Sequence, residues 1–165
     1  MTIDSARRLL VFVVLCLAQV LVLGNIHLFD YATPLLFVYF VIIFPRNYPK
    51  WGALLWSFAL GFCLDMFANT PGVTAASLTF AGMLQPHLIE LFLPREASED
   101  IKSSAKALGV WNFVCLATVI TVVFSLLFFA LESFSFFNWM YWLQCAGASA
   151  ALTLLLIFAL ETIRS

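Results

Sequence analysis

Asp65 is a carboxylate set inside an apolar run, in the stretch Gly61-Phe-Cys-Leu-Asp65-Met-Phe-Ala-Asn69-Thr-Pro71-Gly72. An ionised Asp facing lipid costs about 2.5–3.5 kcal/mol on insertion scales, so such a residue faces protein or water. Ser57, Gly61 and Asp65 recur at i, i+4 and i+8, which places a small, polar face on one helix with Leu, Phe, Trp and Met around the rest. That face, ending at the Pro71-Gly72 turn, is the first candidate for chemistry. Two roles fit it: a proton relay, or a hydrogen-bonded anchor under the turn.

Other polar groups occupy neighbouring segments. Thr74, Ser77, Ala81 and Gln85 share a face of the next apolar segment, and Thr118, Thr121 and Ser125 share one on a later segment. Hydroxyls there either bond within and between helices or, with Asp65, Thr74, Ser77 and Gln85, line a polar cavity. His87 and Glu90, at i and i+3, could hold a metal or pass a proton, but two ligands do not make a zinc site. Cys16, Cys63, Cys115 and Cys145 lie singly in apolar runs and read as small hydrophobic filler, with no disulfide frame and no metal. No nucleophile-elbow, zinc-hydrolase or phosphate-cradling motif is present, so the residues point away from an enzyme and imply no cofactor.

The elements that would position these residues follow from composition. The 165 residues are 64% hydrophobic and 10% charged, with 18 Phe. A soluble domain is nearer 45–50% apolar and about 25% charged. The expected class is an all-α integral membrane protein of one domain. Apolar segments at 9–24, 32–44, 52–68, 73–93, 109–131 and 138–160 predict a compact bundle of six transmembrane helices. The first follows Arg7 and Arg8 as a signal peptide would, but no small-residue cleavage site follows it, so it reads as a retained span. The second is short, and the first two could form one hairpin dipping through the bilayer.

Charge placement supports an even count. Arg7, Arg8, Arg46, Lys50, Arg95, Lys102, Lys106 and Arg164 are all the basic residues, and all fall on one side of a six-span arrangement. The positive-inside rule makes that side cytoplasmic, with both termini there. The opposite connections, 25–31, 69–72 and 132–137, are brief. Trp51 and Trp111 mark inner boundaries, and Trp139, Tyr141 and Trp142 an outer one. Counted from Gly52 at 1.5 Å per residue, Asp65 lies about 20 Å up its helix, in the outer half of the bilayer.

The largest polar stretch is 94–108. Ser98 can cap a short helix there, with Glu99 and Asp100 in its first turn and Lys106 near its end. Ile101, Ala105 and Leu108 form an apolar stripe, so the helix would lie on the inner membrane surface. Ile101, Lys102 and Lys106 are candidate contacts for a cytoplasmic partner. Acidic and basic residues balance, which leaves no nucleic-acid patch. In the last span, 146–151 is a run of small residues that permits close helix approach.

From Ala32 to Leu93 the chain resembles the rod shape-determining protein MreD family. The shared features are Pro34 opening a short second span, the Trp51-Gly52 entry to the third, Gly61-Phe-Cys-Leu-Asp65, and a short turn reaching Gly72 before a small-residue helix. The resemblance implies a non-catalytic component of the bacterial cell-elongation machinery. Its expected partners are MreC, the filament protein MreB and wall-synthesis enzymes, alongside membrane lipid, with no small-molecule substrate. It also implies a fold similar to the substrate-binding components of energy-coupling vitamin transporters. A substrate-binding subunit or small transporter is the alternative reading, drawn from the polar face around Asp65. Span one lacks the Ala-x-x-x-Ala patch typical of those subunits, since Ala18 is followed at i+4 by Val22.

Overall fold

A computed structural model describes residues 2–22, 35–45, 48–93, 105–133 and 138–164. The regular structure among these residues is helical, with no strand. Helix α1 (Thr2–Leu17) runs into one π-helical stretch (Ala18–Val22). Then come α2 (Val38–Ile42), α3 (Lys50–Ala68), α4 (Val73–Phe92), α5 (Ala105–Leu108), α6 (Val110–Ser133) and α7 (Trp139–Arg164).

Three of these, α3, α6 and α7, are long and apolar enough to cross a membrane. They match the expected third, fifth and sixth spans, and α7 runs four residues further than expected. Helix α4 has the length but carries Thr74, Ser77, Thr79, Gln85, His87 and Glu90, which dilute its apolar character. Large apolar side chains point outward, including Trp51, Leu55, Phe58, Phe62 and Met66 on α3 and Leu9, Leu10, Val13 and Val14 on α1. Exposure on that scale marks a surface made for lipid or for another protein. Trp51 and Trp111 at one end and Trp139 at the other are each more than two-thirds exposed, as boundary aromatics are.

The second expected span is where the fold departs from the sequence reading. Of its described part, 35–44, only Val38–Ile42 is helical, about 7 Å at 1.5 Å per residue. That is too short to cross a bilayer as a helix. Its side chains are instead enclosed on every side: Val38, Val41 and Ile42 have no exposed surface, and Leu35, Phe37 and Phe40 almost none. A helix that is apolar all round is a buried one, and this one is buried in protein. The long helices neighbour one another in the order α1, α3, α4, α6, α7, and α2 touches all of them. Phe37 meets Phe124 of α6 edge to face at 5.4 Å, and Phe40 meets Phe12 of α1 at 5.9 Å.

The predicted surface helix within 94–108 is described only as the single turn α5. Ile101 and Lys102 lie outside the described residues, as does Ser98, while Lys106 sits on α5 with its side chain exposed.

Candidate functional site

The α3–α4 hairpin is built by its turn. Helix α3 ends on Asn69 in the left-handed region (φ 60°, ψ 30°), whose N–H bonds the Asp65 carbonyl, and the Thr70 N–H reaches the same oxygen at 3.3 Å. Asn tolerates this conformation better than most residues. Gly72 then precedes α4 with φ 82°, a conformation that strains any residue bearing a Cβ. A glycine at that position has no side chain to accept the first free N–H groups of α4.

Asp65 supplies what Gly72 lacks. Its Oδ1 accepts the Thr74 N–H at 3.0 Å and the Thr70 hydroxyl at 3.1 Å, and its Oδ2 accepts the Ala75 N–H at 2.9 Å. The preceding helix thus caps the following one, with its charge at the positive end of the α4 dipole. At 5% exposure, with three donors on two oxygens, the carboxylate is occupied by the fold. Of the two roles open to it from sequence, the geometry matches the hydrogen-bonded anchor.

Ser57 and Gly61 make that contact reachable. A Cβ at Gly61 would stand 2.4 Å from the Ala75 Cα, so the two backbones touch at this point. One turn away a Cβ at Gly82 would meet the Ser57 hydroxyl at 2.8 Å. The Ser57–Gly61–Asp65 face is therefore the α3–α4 seam, where small residues let helices approach closely.

The expected cavity residues are engaged in the bundle. Gln85 Nε2 donates to the Phe44 carbonyl at 2.9 Å, Ser77 donates to the Val73 carbonyl at 2.8 Å, and Thr74 gives its N–H to Asp65. All three are at most 3% exposed. Thr118 bonds the Val114 carbonyl at 2.7 Å, whereas the hydroxyls of Ser57, Thr121 and Ser125 are buried without a hydrogen-bond partner. His87 and Glu90 point out of the bundle, with His87 Nδ1 3.2 Å from the Met83 carbonyl oxygen. Among the described residues no three His, Cys, Asp or Glu side chains gather as a metal site, and the four cysteines are free thiols.

A second polar group, not anticipated from sequence, pins the buried segment. Thr153 Oγ1 of α7 accepts the Leu35 N–H at 3.1 Å, and Gln85 takes up the Phe44 carbonyl at the other end. Between them the Tyr39 hydroxyl donates to Glu161 Oε2 at 2.9 Å, and Arg164 donates to the Tyr39 oxygen at 3.4 Å. The signal available was Glu161 abutting a long apolar run, three residues before Arg164, and Tyr39 as the one hydroxyl within 35–44. Gln85→Leu would remove the bond from the Gln85 side chain to the buried Phe44 carbonyl. It is expected to lower stability by about 1 kcal/mol, read as a lower thermal-unfolding midpoint of purified protein.

Comparison with protein-family models, curated proteins and solved structures gave no match for this chain.

Proposed function

We propose that the chain is a non-catalytic component of the bacterial inner membrane that works through helix packing and partner binding. The observation that carries this reading is the engagement of Asp65. The most chemically distinctive residue of the bundle has both oxygens committed to the start of α4, and so serves architecture. The outward-facing apolar surfaces of α1 and α3 add support, since they suit lipid and membrane partners.

The particular role comes from the resemblance to the MreD family. In that role the chain belongs to the cell-elongation (rod shape) complex, binds MreC, and works alongside MreB and wall-synthesis enzymes to regulate cell shape and peripheral wall synthesis. It passes the membrane six times with both termini in the cytoplasm, and its fold resembles the substrate-binding components of energy-coupling vitamin transporters. In this arrangement the buried segment 35–44 belongs to the second pass, sheltered from lipid by the other helices.

Depletion of the protein from rod-shaped cells, followed by microscopy, tests the role. Cells are expected to widen and round, and tagged protein is expected to co-purify with MreC. Unchanged cell shape after complete depletion would reject the elongation role.

A further inference from the structure

Three arginines, two of them far from the third in sequence, line one cavity bordered by α1, α2 and α7. Arg7 and Arg8 of α1 and Arg164 of α7 line a cavity of about 240 Å³ that is open on one side. Asp4 is the one carboxylate among the lining residues and the buried Glu161 stands directly behind Tyr39, so the three guanidinium charges still outnumber the nearby carboxylates by one. The remaining wall is apolar, formed mainly by Val11, Phe40, Ile43 and Phe44.

Two of the arginines are held in place by the aromatic groups beside them. The Arg8 guanidinium lies 4.1 Å from the centre of the Tyr48 ring, and Tyr48 stacks on Phe44 with centroids 5.2 Å apart. Arg164 donates to the Tyr39 hydroxyl, itself fixed by the buried Glu161. A guanidinium has five N–H donors in a planar fork, so each keeps donors for an incoming anion, and the fork suits phosphate oxygens.

The position indicates what carries the anion. Immediately beyond Arg8, α1 exposes Leu9, Leu10, Val13, Val14 and Leu17. The cavity therefore sits where a lipid-facing flank gives way to charge, at headgroup depth. A free anion would use the arginines alone, whereas an amphiphile would use the arginines and the apolar wall together. We propose that this cavity holds the phosphate of an anionic lipid headgroup, with the lipid's chains lying along the exposed flank of α1. This inference rests on the membrane reading above.

The test uses the full chain purified in detergent, with retention of added phosphatidylglycerol, phosphatidylcholine or sodium phosphate followed by native mass spectrometry. Only folded protein is scored in that measurement, which keeps the variants comparable. Phosphatidylglycerol is expected to be retained in preference to phosphatidylcholine. The double variant R8Q/R164Q is expected to lose at least about tenfold in phosphatidylglycerol affinity, and Lys50→Gln to lose none. Equal retention of the two lipids, unchanged affinity in R8Q/R164Q, or an equal loss in Lys50→Gln would overturn the site. Sodium phosphate binding as tightly as phosphatidylglycerol would overturn the lipid assignment. In parallel, carbonate washing of membranes separates the two claims. Protein that stays in washed membranes but shows no lipid preference refutes the headgroup site alone, while protein released by carbonate refutes the membrane reading and the site with it.

Discussion

Asp65→Ala is expected to destabilise the bundle by about 3 kcal/mol, the larger of the two main effects expected from substitution. A buried N–H left without an acceptor costs about 1–3 kcal/mol, and the alanine strands those of Thr74 and Ala75 together. Loss of an N-cap side chain costs about 1 kcal/mol in soluble helices, where water takes over the freed groups. A typical hydrogen bond between membrane helices contributes less still, about 0.6 kcal/mol. Asp65 exceeds both because it is charged, it serves two adjacent donors, and only 5% of it is exposed. Asp65→Asn should fall between, since its amide keeps one acceptor and turns an NH2 toward an N–H. Thermal unfolding of purified protein checks the order wild type, Asn, Ala. Equal midpoints for all three would mean that α4 does not depend on this cap.

Gly61→Ala acts on the same contact from the other side. Alanine is favoured over glycine in a helix by about 1 kcal/mol, so a free surface would gain from the change. Here the new methyl would stand 2.4 Å from the Ala75 Cα and 2.7 Å from its nitrogen, where carbon atoms need about 3.5–4 Å. Both atoms are backbone, so relief requires the helices to part by about 1 Å. Overpacking costs about 1–3 kcal/mol, and moving backbone sits at the upper end. The net expectation is a loss of about 2 kcal/mol. Parting the helices also stretches the bond from the Ala75 N–H to Asp65. The two substitutions should therefore be less than additive in a double-mutant cycle, as contacts sharing a partner are. Gly147→Ala is the control, because nothing lies within 4 Å of the added methyl. A Gly61→Ala protein as stable as the Gly147→Ala protein would rule out the close approach.

Much of the α3–α4 seam was legible because each of its signals is local. An acid one turn before a helix end, small residues at i−4 and i−8, and a Pro-Gly turn all constrain a few residues, and they agree on one arrangement. The donors that would reach Asp65 were less so, since Thr74 and Ala75 are defined by helix geometry after the turn. The burial of segment 35–44 was not legible, for a different reason. A short apolar run has the same composition whether lipid or protein surrounds it, and periodicity is lost when every side is buried. Its partners Thr153 and Glu161 lie more than a hundred residues away, beyond the reach of spacing arguments. The arginine cavity likewise joins Arg8 to Arg164, which the charge tally placed on one side of the membrane without placing them together.

That long separation has a consequence for how the chain is made. Leu35 bonds a residue 118 positions later, and Tyr39 one 122 positions later. A polypeptide emerging from its N-terminus reaches the membrane with segment 35–44 already synthesised and α7 not yet begun. Until α7 arrives, the Leu35 amide and the Tyr39 hydroxyl lack their native acceptors. The nascent bundle must then stay open, or be sheltered by insertion factors, through the synthesis of four further helices. Helix α7, made more than a hundred residues later, is thus the latch on segment 35–44, and this part of the fold closes only once α7 has been synthesised.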